Sequence, residues 1–548
     1  MALTTTTTTE EWHVLVEIAL DSGTLYIADD DLVFDNGTVY DGALLSIPSL
    51  SLSIGQILDP RIVSPSLSIS LRDADDTYRN SHDAEEWGNR AVVIKVGQGL
   101  TIADYTEQPF VGVVRFPTGV AWDANVFTFG VDDLRSKDSK VLPTSRFNPA
   151  TYANMETKSQ YKAIPLIFGD WRVAAGGGEK VPAFQIDSTA GTGGKFKLSS
   201  VTIKEIEKVW IRTSGGAWSD ITANCSLDLT NAEFTITSGT YDPDTNDVAC
   251  NIQGHTANGA SGGTLLQTFG TVYNDILQTH LGVSSGNIDS AAVTAWDAEL
   301  EADDYVRRHI GSETNSDDLI RDLLVGGFAD QTIEAGKYKP VYRIVDTSAS
   351  APALDTANIR ERSDATADFT VAKDPEGVFV NEVVGDYRYD PVSAGYLATF
   401  ENSNAASIST LGTTKRRRLS FSWGYIAAGV ERRTSRELYM FGKQPEVATL
   451  LVDPEGLVLG PTERFDLTHD KYDDVPWQVR DVVYDLTGKT ARLTCFNMLR
   501  LTPGRWTGST APAWASATRA QQLEQGFWTN ASGRADAADA DSTGSVWF

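Results

Sequence analysis

Three short stretches carry residue types that could do chemistry. "STAGTGGKFK", Ser188 to Lys197, offers glycines and a lysine that could cradle phosphate. A phosphate-binding loop needs a glycine five positions before its Gly-Lys and a hydroxyl residue after the lysine. Thr189 and Phe196 stand there instead, so the stretch reads as a glycine-rich hairpin loop. "YDPDTND" sets Asp242, Asp244 and Asn246 at calcium-loop spacing, but Asp247 and Gln253 occupy the positions that need glycine and glutamate. It reads first as an acidic turn and only second as a calcium site. "KRRRL", Lys415 to Leu419, is the one basic cluster. It leads straight into apolar text, so a strand would present Arg416 and Arg418 to one side and Lys415 and Arg417 to the other. In so acidic a chain this run is expected to dock on an acidic protein neighbour rather than on nucleic acid.

Other candidates for chemistry are sparse. His13, His82, His255, His280, His309 and His469 show neither zinc spacing nor a Glu-x-x-His pair, so each reads as a surface or satisfied core residue. No metal, cofactor or catalytic residue is assigned. Cys225, Cys250 and Cys495 do not make a disulfide framework; Cys225 and Cys250 could pair, but reduced thiols are the plainer reading. The Trp and Tyr residues of the Gly/Ser/Thr-rich regions could stack on sugars, or could simply be β-core.

The elements that position these residues are mostly strands. "SLSLSI" places Leu50, Leu52 and Ile54 on one face, and "SLSISL" places Leu67, Ile69 and Leu71 on one face, a period of two. Asp-Gly and Asn-Gly punctuation marks hairpins. "KAIPLIFGDW" reads as a strand, Ile164 to Phe168, that opens a second β-domain, with Trp171 expected to anchor its core or its seam with the first. Leu266, Phe269, Val272, Tyr273, Ile276 and Leu277 recur at helical spacing before a Gly282 cap. Ser316 is the expected N-cap of a second helix, and "SRELYMFGK" lies in a third. The architecture expected is mainly β with α+β elements, built of β-barrel or sandwich domains. Its segments are an N-terminal β-domain at 1–149, a small β-domain at 150–262, an α+β domain at 263–375, a β-domain with one helix at 376–501 and an extension at 502–548. The extension is poor in Leu, Ile and Val yet keeps Trp506, Trp514, Trp528, Trp547 and Phe548, aromatic anchors expected to dock on a partner.

The chain has 548 residues and a net charge of −28, which repels DNA phosphates and argues against stable nucleic-acid binding. No apolar run approaches the ~18 residues of a spanning helix. The first residues lack the basic start and apolar core of a signal peptide.

The order of segments carries a resemblance. The opening text through "SPSLSISLRDADDTY", then "EEWGNRAVVIKVGQG", "FVGVVRFPTGVAWD" and "FTFGVDDLRSKD", resembles the N-terminal domain of tail-tip hub proteins of long-tailed bacteriophages with Mu-like tail modules. "AIPLIFGDW", "NEVVGDYRYD", "SRELYMFGK" and "PWQVRDVVYDLTGKTARLTC" are similar to later hub segments, so the likeness runs to about Leu501. It implies a virion structural protein, made in the host bacterial cytoplasm, that forms a trimeric ring closing the distal tail tube. Its implied partners are a distal tail protein above, the tape-measure protein within, and a lower hub or tail fibres below. Some tail-tip proteins of this group hold an iron–sulfur cluster through four cysteines; with three scattered ones that cofactor is not carried over. Nor is lytic activity. An acidic lumen suits DNA transit, since DNA carries one charge per ~1.7 Å of axis and a basic lining would hold it back. Two other readings stand beside the hub: a carbohydrate- or receptor-binding tail module, and a glycan-cleaving enzyme built on paired carboxylates.

Overall fold

The computed structural model describes residues 11–498 except 48, 55–65, 106, 117–118, 135–137, 174–178, 214, 301–303, 335, 344–350, 362–367, 443, 454–458 and 470–471, together with the backbone of Phe527–Trp528 paired to Val546–Trp547. It is mostly β. The period-two segments near the N-terminus form one curled sheet in which Gly23–Ala28, Trp12–Leu20, Ala91–Gln98, Glu107–Val114, Val126–Asp133, Ser66–Arg72 and Leu44–Ser46 lie side by side. The edges approach each other where the Ala28 amide donates to the Asp41 carbonyl at 2.8 Å, so the sheet nearly closes into a barrel. Val14, Val16, Ile18, Leu67, Ile69 and Leu71 point inward, as their alternation requires.

A second curled sheet is built near the C-terminal end of the described chain from Ala353–Asp355, Arg464–His469, Tyr472–Asp485, Thr490–Asn497, Glu446–Val452 and Phe369–Lys373. It too curls shut: Ile359 bridges back to Val452, and the Arg360 amide donates to the Leu451 carbonyl at 2.8 Å. The strand Leu50–Ser53, which sequence places in the first domain, pairs with this second sheet, Leu50 opposite Tyr484 and Leu52 opposite Val482. The Ser53 hydroxyl donates to Asp481. A single apolar core then runs from Val16, Ile94 and Phe127 to Leu450, Trp477 and Leu493.

The chain between these bodies forms two further cores. One belongs to a small β-domain whose long strands Ile203–Thr213 and Asn246–His255 pair antiparallel, with Phe196, Val209, Phe234, Cys250 and Ile252 inside. The other is α+β: helices Phe269–Asp275, Ser290–Ala298 and Ser316–Gly326 pack on Leu166, Phe168 and Ile310. The N-cap of the last helix is Asn315, whose side chain accepts from the Asp317 amide at 2.8 Å; Ser316 is its first residue. The three-stranded sheet Gly395–Ser403, Glu382–Asp390, Arg416–Ser420 carries the helix Ala427–Phe441.

"KAIPLIFGDW" is the hinge of this arrangement. Its strand, Leu166–Phe168, pairs with Arg308–Ile310. Leu166 and Phe168 belong to the α+β core and Ile167 to the β-domain core. A strand buried on both faces must read as an unbroken apolar run, which is what the sequence shows. Gly169 follows at φ 81°, where an added Cβ would lie 2.0 Å from the Val306 carbonyl oxygen, so only glycine fits.

Leu50 is fully buried. Replacing it with alanine is expected to cost about 2–5 kcal/mol, read as a lower urea midpoint at unchanged slope. A loss below about 1 kcal/mol would mean the paired strand contributes no core.

Candidate functional site

The residues that sequence singles out fall into three environments. Trp171 is buried in the β-domain core, its indole N–H donating to the Phe168 carbonyl at 2.9 Å. Its ring forms one wall of a buried ionic junction. The Arg307 guanidinium sits 4.7 Å from the Trp171 ring and 4.4 Å from that of Tyr425, and makes a 2.9 Å ion pair with Glu179. Arg388 meets the other carboxylate oxygen at 2.6 Å. Asn251 ties the junction to the sheet by donating to the carbonyls of Trp171 and Glu179 at 2.8 and 2.9 Å, and accepts from the Trp210 indole at 2.6 Å. The seam that Trp171 anchors therefore joins the small β-domain to Arg307, beside the strand Arg308–Ile310, and to Arg388 of the three-stranded sheet, rather than to the first β-body.

Burial by itself would push the Glu179 carboxyl up; the charge of Arg307 and the hydrogen bond from Arg388 outweigh it and hold the group below the ordinary carboxylate range. Nearby, Asp304 pairs with Arg433 and Arg432 at 3.4 and 3.3 Å. Burial pushes Arg433 down to about 10.

The cationic run occupies the strand Arg416–Ser420 and alternates as its period demands, Arg416 and Arg418 exposed and Arg417 half-buried. The carboxylates it meets belong to its own chain. Arg416 pairs with Glu382 on the adjoining parallel strand, and Arg418 grips Asp386 through Nε and Nη2 at 2.5 and 2.7 Å. Arg417 reaches Glu437 of the covering helix at 3.0 Å. The Lys415 amide donates to Asn381 at 2.7 Å. Side chains of Trp506, Trp514, Trp528, Trp547 and Phe548 lie outside the described residues; only the backbones of Trp528 and Trp547 are placed, in a short antiparallel pair.

The other motifs resolve into local structure. Ser188 to Gly194 is the connection between the paired strands Phe184–Asp187 and Lys195–Lys197. Asp242 is occupied by its own turn, accepting from the Asp244 amide and the Thr245 hydroxyl, both at 3.0 Å. Cys250 lies inside the small β-domain core and Cys225 packs against it, both as free thiols. The rings of Trp210 and Trp218, candidates for sugar stacking, are covered by Lys180, Lys208 and Arg212 at 4.4–5.7 Å. Trp87, Trp171, Trp296, Trp423 and Trp477 are fully buried.

One grouping escaped sequence spacing. His255, the last residue of Asn246–His255, stands beside Asp275 and His280, with one donor atom from each lying within 4.8 Å of the others. Asp275 ends an α-helix and His280 lies in the single π-helical turn Ile276–Leu281 that continues it.

No protein-family model matches the chain, and no curated protein matches it in sequence. Among solved structures it is similar to the 43 kDa tail protein of prophage MuSo2 from Shewanella oneidensis, at 10% identity, 89% of this chain, 99% of that chain and TM-score 0.40. It is also similar to a chain of the native gene transfer agent virion, at 11% identity, 65% and 89% coverage and TM-score 0.41. A third is prophage tail protein gp18 of Listeria monocytogenes, at 9% identity, 88% and 94% coverage and TM-score 0.34. These structures are of two tail proteins and a virion.

Two substitutions test the junction. Trp171→Ala is expected to cost about 3–5 kcal/mol. Glu179→Gln strands Arg307 in the interior and is expected to cost about 3–5 kcal/mol at neutral pH. Because the folded carboxyl is depressed, its contribution is complete above the ordinary carboxylate value of about 4.3 and fades as pH falls through the folded value. Denaturant curves of Glu179→Gln and the parent chain should converge in acid. A gap independent of pH would show that the Glu179 charge is not what holds the seam.

Proposed function

We propose that the chain is a structural tail-tip hub of a long-tailed bacteriophage virion. The observation that carries this reading is the union of two curled sheets, one near each end of the described chain, into one core closed by Leu50–Ser53. Sheets closed on themselves leave few edges for uncontrolled pairing and make stiff wall segments. In this reading three copies form a ring at the distal end of the tail tube. The ring contacts a distal tail protein above, receives the tape-measure protein within, and seats a lower hub or fibres below while DNA passes an acidic lumen. Lys415, Arg416, Arg417 and Arg418 and the aromatics Trp506, Trp514, Trp528, Trp547 and Phe548 are the docking segments. The first group meets its neighbour as a row of ion pairs rather than bare cations, which suits register and partner choice more than affinity.

The reading assigns the chain no reaction of its own. Four buried carboxylates are engaged with cations of the same chain: Glu179 with Arg307, Asp304 with Arg433, Glu233 with Lys197 and Asp330 with Arg343.

Gold-labelled antibody against the chain should mark the distal end of the tail in electron micrographs of virions, and the purified protein should give rings of three. Label on the capsid or neck, or a monomer at assembly concentrations, would overturn the hub. Removal of residues after Leu501 should leave the melting temperature of the chain unchanged while blocking its incorporation into tails; truncated chains that build infectious particles at the normal rate would remove the docking role of the extension.

A further inference from the structure

We propose that His255, Asp275 and His280 form a binding site for one divalent transition-metal ion of the zinc class, which staples the end of a helix to the small β-domain. The inference is independent of the hub reading.

The helix supplies two ligands because it changes pitch. On an α-helix of 3.6 residues per turn, positions five apart diverge by about 140°. The turn Ile276–Leu281 is π-helical, and its wider winding brings His280 back over Asp275, with Nε2 3.3 Å from Oδ2. Such single π-turns recur at functional sites because they cost regular hydrogen bonding and are retained for what they position. Gly282, in the left-handed conformation at φ 83°, ends the turn.

The His280 Nε2 is buried and stands against a carboxylate oxygen of Asp275. The 3.3 Å separation is that of two donors on one edge of a tetrahedron, since ligands about 2.0–2.1 Å from a central ion lie about 3.3–3.4 Å apart. The other Asp275 oxygen, Oδ1, accepts from the Thr279 hydroxyl at 2.8 Å, which fixes the carboxylate plane.

The third ligand comes from the strand. His255 is 2% exposed, and its Nδ1 has no hydrogen-bond partner among the described residues. Its other nitrogen, Nε2, is 2.8 Å from the Ser199 hydroxyl, and that hydroxyl donates to the Pro165 carbonyl at 3.0 Å. The Ile167 amide donates to the same Nε2 at 3.3 Å, the longer of the two contacts. Binding an ion at Nδ1 requires the ring proton on Nε2, where Ser199, its own proton committed to Pro165, accepts it at the expense of the Ile167 contact. A metal-bound histidine whose second nitrogen donates to a fixed oxygen is the usual support for such ligands. The Phe168 ring packs 4.9 Å from the His255 ring and 6.4 Å from that of His280, closing the apolar side. Asp275 and His280 retain a little exposure, so water can complete the coordination.

Two imidazoles and a carboxylate suit Zn(II), whose filled d shell imposes no geometry of its own. Bound there, the ion joins the helix of the α+β core to the strand of the β-domain core beside the doubly buried strand Leu166–Phe168.

The test uses the full-length chain and Zn(II) alone. After incubation and desalting, one equivalent of zinc per chain should remain by elemental analysis, and Co(II) in its place should give the intense visible bands of a four-coordinate site. Asp275→Asn and His280→Gln should each abolish retention, while His82→Gln, on a separate helix, should not change it. Ser199→Ala, which removes only the support, should weaken binding about 10–100-fold. A chelator should lower the melting temperature of the parent chain and leave that of the two ligand variants unmoved. If those variants fail to fold, the parent chain decides the matter by metal content and chelator response. No retained zinc, a melting temperature indifferent to chelator, or unchanged retention in both ligand variants overturns the site.

Discussion

The pairing of Leu50–Ser53 with the far end of the chain is the constraint on which the rest of the structure depends. Ser53 and Asp481 are 428 residues apart in sequence yet hydrogen-bonded. Once they meet, the two curled sheets share a core, and the chain between them becomes a closed excursion that must leave and return within that frame. The entropy cost of closing so long a loop grows only logarithmically with its length. It is offset by apolar burial spread along both sheets rather than by the ladder bonds of a short strand.

Within the excursion, two cores are held against each other by a strand they share. Leu166 and Phe168 serve one and Ile167 the other, so neither core can shift without disturbing its neighbour. The Glu179 junction lies at the same boundary. A buried ion pair contributes little net stability compared with an apolar replacement, because desolvation cancels most of its attraction. Its directionality is the useful property: Arg307, held between two aromatic rings and a carboxylate, admits one relative placement of the pieces that contribute them. The three donors at His255, Asp275 and His280 stand at this boundary as well, which makes it the most chemically elaborated part of the described fold.

The cationic strand shows how a charged run can be spent internally. Arg416 and Arg418 face outward, but their partners sit on the adjoining parallel strand, Glu382 directly opposite Arg416 and Asp386 on the diagonal from Arg418, two residues past Val384. The resulting surface presents paired charges, which steer orientation while exerting a weaker long-range field than bare cations.

Much of the local structure was legible in the sequence. Alternation at Leu67, Ile69 and Leu71 marked a half-buried strand and Gly282 marked a helix end, because each is decided by neighbours a few residues away. The alternation of Arg416, Arg417 and Arg418 followed from strand period alone. Partnerships were not legible. Leu50 and Leu52 carry the period of a strand, but nothing local states that their partner lies beyond residue 480. Asp275 and His280 are five apart, a spacing that an ordinary helix would turn away from each other, and His255 lies on a strand twenty residues earlier. Only the π-turn and the packing of the helix on that strand bring the three together. Sequence determined the elements, their faces and the sign of the charge, since backbone sterics and side-chain period act locally. Tertiary structure alone decided which strand closes which sheet, which carboxylate meets which arginine and which histidines converge, since those outcomes depend on the packing of the whole chain.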